Sequence, residues 1–349
     1  MATEPWYSTR ERVRAAIGFS ERTDALVDRA IAAASRIVDG DTHRRFYPET
    51  DTRSFDWPPP QRSTSWRLWL DNHELISLSS ITVAGGTSAT AANFNLEPVN
   101  DGPPYSHLEA DLSTTAAFSA GTTHQQAIAL TGLFGYDNVT ESAGTTAANQ
   151  GDTTGTSLTL TNDTVGVGDL ITIGSERHMV TELAFADVTK NTNGTVAAQK
   201  NDDSIPIETG HGIIAGDRIR INTEEMKVRA LVGATSLTVD RATNGTLLAA
   251  HGSGDDVYAI RTATVERGAT GSTAATSTSG AAITRQVYQP LIEQWCIAEA
   301  VVILSQQSAG FARTSGTGSN EAETIGLGLV DIRERALAAH GRRIRTAAV

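Results

Sequence analysis

The sequence predicts an α+β protein: a helical bundle built from N- and C-terminal helices, with a β-rich middle that contains inserted tandem small β modules. Three observations lead there. Apolar residues recur at helical spacing only towards the two ends of the 349-residue chain. Between the ends the sequence turns to short alternating runs among Gly, Ser and Thr, with aromatics at 5% overall, which suits thin β-rich units better than a compact enzyme. Finally, "GDLITIGSERHMV" at 168–180 is nearly restated by "GDRIRINTEEMKV" at 216–228.

Taken in order, Ser8 and Glu11 have capping-box spacing and predict a short helix to about Ile17. In "TDALVDRAIAAASRIVDG" Val27, Ile31, Ala34 and Val38 form a stripe that Leu26, Ala30, Ala33 and Ile37 widen, with Gly40 as C-cap. After "THRRFYP" the pattern becomes extended. "WRLWLDNHELISLSSITVAGG" alternates between turns at Asp71–Asn72 and Gly85–Gly86, and "NFNLEP" and "AIALTGLFGY" read as further strands. Helix returns near Pro290, tolerable in a first turn, with Leu291, Trp295, Ala298, Val302 and Ser305 on one face and Cys296 as a small buried residue. A last helix is expected from about Asn320 to Arg345. The expected bundle core is therefore Val27, Ile31, Val38, Leu291, Trp295 and Val302.

At an offset of 48, Gly168, Asp169, Ile171, Ile173, Glu176 and Val180 match Gly216, Asp217, Ile219, Ile221, Glu224 and Val228. At an offset of 51, "VTKNTNGTVAA" matches "VDRATNGTLLAA", pairing Lys190 with Arg241 and Asn193–Gly194 with Asn244–Gly245. A third, partial copy from Val265 aligns with the second at an offset of 26 and holds Arg267 without a preceding hairpin. Each residue type has a structural role. Gly-Asp allows a tight turn, Ile-x-Ile gives one apolar face, Glu176, Glu224 and Glu225 sit near the exposed hairpin tip, and Asn-Gly supplies positive φ. These matches divide the chain into a parent unit, 1–137 with 259–349, and an insert, 138–258, made of repeats 156–202 and 203–257.

Net charge is −12, distributed as −6 over 1–137, −7 over 138–283 and +1 over 284–349. No clustered Lys and Arg mark a DNA-reading surface. No apolar run approaches the ~18 residues needed to span a membrane, and the N-terminal sequence lacks a signal-peptide pattern. A single Cys excludes a multi-thiolate metal site.

Catalytic patterns are absent. His178, His211 and His251 lack ligand spacing and read as surface or turn residues. Asp202–Asp203 and Asp255–Asp256 would need to converge for glycosidase-like chemistry, and solvated turns are the plainer reading. P-loop and acyl-transfer motifs do not occur. The expectation is a non-enzyme without catalytic residues, metal or cofactor.

The order of the "AASRIVDGDTHRRFYP" helix, "RLWLDNHELISLSSITVAG", "FNLEP", "IALTGLFGY" and a closing helical pair ending in Arg-rich sequence resembles the head-to-tail adaptor (connector) proteins of long-tailed bacteriophages. The "GDxIxI" and "NGT" phrases are similar to those of virion proteins of phages infecting actinobacteria. The resemblance covers about 8–137 and 259–349, and the insert departs from it.

It implies a homo-oligomeric ring of twelve in the virion neck, assembled in the host cytoplasm. The ring would sit between the portal protein and a stopper or head-closure protein, and duplex DNA would pass without sequence-specific binding. An acidic chain suits such a conduit. The insert is expected to project outward, where it could touch the capsid. Arg333, Arg335, Arg342, Arg343 and Arg345 are the candidates for docking on the portal. The alternative is a minor tail or baseplate protein whose β modules bind host glycan, although 138–258 holds only Phe185 and Tyr258 as aromatics.

Overall fold

The computed structural model describes residues 4–17, 23–58, 64–308, 314–315, 323–324 and 327–342. It is α+β, with helices at both ends and a strand-rich middle. Helix α1 spans Arg10–Ile17 and α2 spans Asp24–Thr42. Thr9, not Ser8, caps α1: its Oγ1 accepts from the Arg12 amide at 3.3 Å. Glu11 faces away from the helix start and accepts from the Val167 amide at 3.0 Å. Nor does Gly40 end α2, which runs on to a left-handed His43 (φ 54°).

The buried stripe of α2 is Val27, Ala30, Ile31, Ala34, Ser35, Val38 and Thr42, while Leu26, Ala33 and Ile37 are exposed. Helix α3, Pro290–Ser308, begins at the predicted proline. It buries Ile292, Trp295, Cys296, Ala300 and Leu304, a face rotated from the expected one, leaving Leu291 and Val302 only partly buried. The sequence of α3 is apolar nearly all round, so periodicity does not select a face. Helix α4 covers Leu327–His340, within the predicted span of about Asn320 to Arg345. Residues of all four helices share one core with Phe46, Tyr47, Leu170, Met179 and Tyr288.

The segment after α2 forms β1 (Glu49–Phe55), β2 (Arg67–Trp69), β3 (Leu75–Val83), β4 (Thr87–Ala89), β5 (Phe94–Glu97), β6 (His107–Ala110) and β7 (Ile128–Phe134). A four-stranded sheet, β1-β7-β3-β4, and a three-stranded one, β2-β6-β5, bury Leu68, Leu108, Ile81, Ile128 and Leu130 in a common core. Strand β7 alternates buried and half-buried residues throughout, as its period-2 pattern requires.

The remaining strands are β8 (Thr140–Thr145), β9 (Ser157–Thr159), β10 (Leu170–Ile173), β11 (Glu176–Asn191), β12 (Ser204–Pro206), β13 (Arg218–Ile221), β14 (Glu224–Leu231), β15 (Ser236–Asp240), β16 (Asp256–Glu266) and β17 (Ala282–Gln286). They form one ten-stranded sheet. It contains the same unit twice, but the second copy is nested within the first and does not follow it. Val180↔Val265 and Leu183↔Ala263 between β11 and β16 reproduce Val228↔Val239 and Leu231↔Leu237 between β14 and β15. Ile171↔Arg285 and Ile173↔Ile283 likewise reproduce Ile219↔Ala259 and Ile221↔Val257.

The first module is thus about 140–183 with 263–286, and the second, about 185–260, replaces its β11–β16 hairpin loop. This corrects the tandem division: strand β16 crosses the expected boundary at 258/259, and β8 belongs to the same sheet as β17. The long strands β11 and β16 serve both modules. Each module keeps its own apolar core, with Ile171, Ile173 and Val180 in one and Ile219, Ile221 and Val228 in the other.

Candidate functional site

The most buried polar constellation lies inside the modules, at the glutamate expected near an exposed hairpin tip. Glu224 is fully buried. Its Oε1 and Oε2 each accept from Arg241, through Nε and Nη2, at 2.7 Å. The Ala242 and Ala249 amides donate to the same carboxylate at 2.9 and 3.0 Å. The remaining Arg241 donors reach the carbonyls of Ala197, Asp202 and Ala249. Burial alone would raise this carboxyl, but Arg241, the Ala249 amide and His251 more than offset it and hold it at about 2.

The first module repeats the arrangement with Glu176, which receives Arg267 at 2.7 and 2.8 Å and the Gly268 and Ala275 amides at 3.0 and 2.8 Å. Arg267 in turn donates to the carbonyls of Asp152, Gly155 and Ala275. The carboxylate and guanidinium groups are fully engaged within the protein, so the clamp binds the start of one hairpin to the turn that follows the next strand. It offers no vacant position to a substrate.

Of the two matches read in the sequence, the clamp follows the offset of 26: the counterpart of Arg241 is Arg267, and the offset of 51 to Lys190 is not structural. Asn244 (φ 51°) and Gly245 (φ 79°) adopt the left-handed turn, and their counterparts are Thr270 (φ 50°) and Gly271 (φ 75°). Asn193–Gly194 instead continues from β11, the Asn193 amide donating to the Pro206 carbonyl at 3.0 Å. Gly168 (φ 102°) and Gly216 (φ 97°) do hold the predicted tight turns. Asp169 and Asp217 close them by accepting from Gly166 and Ile214 at 2.8 and 3.0 Å.

What distinguishes the modules is their mounting. The first is held by the N-terminal segment: the Arg10 amide donates to Val167 at 3.0 Å, and its guanidinium bridges Asp28 of α2 and Glu182 of β11. Trp6 covers Gly168, and the Thr50 carbonyl of β1 lies against Gly271. Arg177 adds donors to Thr50 and Thr270 at 2.6 and 2.5 Å. The second module meets α1 through Arg218, which binds Glu11 at 3.2 Å and also Asp163 of the first module at 2.6 Å. No described residue lies against Gly216.

The described C-terminal arginines, Arg333, Arg335 and Arg342, do not form one cluster. Arg333 pairs with Asp41 at 2.9 Å, and Arg335 pairs with Asp331 at 3.4 Å along an exposed face. The Arg342 amide donates to Thr42 at 3.1 Å, and its guanidinium donates to the Asp71 carbonyl. Arg343 and Arg345 lie outside the described residues.

The three histidines are buried, contrary to the surface reading. His251 Nε2 lies 2.8 Å from Glu224, His178 Nε2 lies 3.5 Å from Glu176, and His211 Nδ1 accepts from the Ile213 amide at 3.0 Å. Burial lowers His178 to about 4. No group of three or more potential ligands capable of holding a metal occurs among the described residues.

The two Asp pairs do not converge. Asp202 accepts from the Ala197 amide at 2.7 Å, Asp203 pairs with Arg229, and Asp255 accepts from Gly252 and Asn222. Cys296 is buried between Ser35 and the helices, and its thiol is pushed up to about 12. No helix among the described residues is long and apolar enough to cross a membrane.

The chain matches no family model, curated protein or solved structure. Its function is therefore read from its own geometry: a β scaffold clamped by internal Glu–Arg pairs and mounted on helices drawn from both chain ends.

Proposed function

We propose that this chain is the head-to-tail adaptor of a long-tailed bacteriophage, forming a ring of twelve between the portal and the stopper or head-closure protein and extending the DNA channel. The observation that carries this reading is the shared core of α1, α2, α3 and α4, in which Val27, Ile31 and Val38 meet Ile292, Trp295 and Leu304. It joins the segments whose order resembles that family, and a bundle of these helices is what such a ring would be built from. The buried polar groups support a structural role, because the Glu–Arg clamps are internally satisfied and leave no reacting group exposed.

The nested modules project from the outer side of the ring on this reading, and DNA passes along acidic walls that do not retain it. Arg335, Arg343 and Arg345 dock on the portal, while Arg333 and Arg342 hold α4 to Asp41, Thr42 and Asp71.

Portal rings encoded in the same genome, mixed with the purified full chain, should carry a twelve-fold collar in negative-stain images. Ending the chain after Arg342 keeps that residue's contacts and removes Arg343 and Arg345, so the collar should be lost. A chain that leaves portal rings bare at micromolar concentration contradicts the reading.

A further inference from the structure

The two modules have the same fold but opposite treatment of one sheet face. In the first module that face carries Leu170 and Met179, both buried in the helical core. The structurally equivalent residues of the second are Arg218 and Lys227, and Lys227 is exposed. The turn beside it changes likewise: Gly168 is covered by Trp6, whereas Gly216 is open and Ile214 next to it is 42% exposed. A surface that packs on helices in one copy carries cations in the other: Arg218 is held by Asp163 and Glu11, and Lys227 is left exposed.

Among the described residues, two cations of this face have no acidic partner. Arg220 lies over the rings of Phe185 and Tyr258, 4.7 and 5.2 Å from their centroids, and its buried Nε has no hydrogen-bond partner. The Lys227 side chain, across the sheet from Arg218 and Asp240, is exposed and has no ion pair among the described residues. Arg218 and Arg229 on the same strands are already paired, with Asp163 and Glu11 and with Asp203 and Asp240. Grooves of about 400 and 500 Å³ flank the Arg218–Glu11 bridge, the first lined by Asp163, Asp169, Lys227 and Asn244 and the second by Asp24, Glu182, Phe185 and Glu225. Spare positive charge on an aromatic base fits carboxylates at a protein surface.

We propose that this face of the second module, centred on Arg220 and Lys227, is where one copy of the chain binds acidic side chains of a second copy. The partner follows from charge: the chain carries −12 overall and −6 within its first 137 residues, with Asp56 and Asp101 among its exposed carboxylates. The choice of partner rests on the ring-forming reading above.

The chain has three lysines, Lys190, Lys200 and Lys227, which makes a zero-length test clean. Carbodiimide treatment of an equal mixture of ¹⁴N- and ¹⁵N-labelled full chains should join Lys227 to an Asp or Glu of the other isotope. Arg220→Glu with Lys227→Glu should weaken self-association in sedimentation at least tenfold. Lys227→Met, which installs the residue found at position 179, reports whether the site folds without its charge.

Lys227 coupling only within its own isotope, or not at all, overturns the proposal. Rings that assemble unchanged with the double variant overturn it too, yet leave the adaptor reading standing. Mixed-isotope pairs from chains that never form rings support this surface and remove the ring.

Discussion

Glu176 is clamped by Arg267, ninety-one residues further along the chain, whereas its counterpart Glu224 is clamped by Arg241, seventeen residues further along. Each carboxylate takes two contacts from its arginine and is completed by two backbone amides at equivalent positions, and Glu224 alone adds a histidine at 2.8 Å. The difference in separation is the second module, inserted between a glutamate and its arginine without disturbing either.

Breaking either clamp leaves a buried carboxylate without its cation, at a cost of about 3–5 kcal/mol. Arg241→Met and Arg267→Met should therefore lower the urea midpoint by similar amounts. Hydrogen exchange separates them. Arg267→Met should speed exchange in 170–180 and Arg241→Met in 218–228, although 267 is far from 170 in sequence. Exchange confined to residues near 267 would contradict the nested pairing.

Gly168 and Gly216 share a backbone conformation that L side chains rarely adopt, so Ala costs about 1 kcal/mol or more at either. Only at Gly168 would the new Cβ also meet the Trp6 ring and the Ser8 carbonyl. Gly168→Ala should destabilise by about 1–3 kcal/mol more than Gly216→Ala, as read from paired thermal and urea unfolding. Equal losses would mean that Trp6 does not cover the turn.

His178 is buried neutral, its value lowered from 6.5 to about 4 by burial. The unfolded chain takes up a proton first as pH falls, so this residue's contribution is complete above about 6.5 and is lost towards about 4. At pH 5 the loss is about 2 kcal/mol. Asp39 and Asp169, raised to about 6 by burial, act in the opposite sense, but they are common to any variant at 178. His178→Met, matching Met226 in the second module, should stabilise the protein at pH 5 relative to pH 7.5 when each is compared with the parent. No pH dependence in that difference would contradict a buried neutral imidazole.

The equivalence of Leu183↔Ala263 with Leu231↔Leu237 locates the seam of the nesting. Replacing residues 184–262 by the five residues Val232–Ser236 closes the first module with the loop its twin already uses. The shortened chain should still unfold in one cooperative transition with its strand content intact by circular dichroism. A molten or aggregated product would show that the second module is needed for the first to fold.

The α2 stripe, the alternation of β7 and the Gly-Asp turns are legible in the sequence because each follows from local period or local φ. The face of α3 is not, since a helix apolar on every side is oriented only by its neighbours. Nesting leaves a faint signal that local matching passes over. The third repeat fragment carries an arginine but no hairpin, and the first hairpin is followed by Lys190 where Arg is required. Together, those two defects pair Glu176 with Arg267.

Sequence reasoning places the glutamates at an exposed tip because a charged residue beside a turn is ordinarily solvated. Their burial depends on an arginine supplied from a separate strand, which sequence spacing alone does not reveal. The candidate docking arginines read as one basic tail, yet three-dimensional pairing commits Arg333 and Arg342 to holding α4.

Where the protein sits in the intact particle is the most direct measurement. Cryo-electron microscopy of virions with the chain tagged at Val232–Gly233, the exposed β14–β15 loop, should show twelve copies in a collar just below the portal, with the tags on its outer rim. Density for the tag at the tail tip, or its absence from purified virions, would contradict the account.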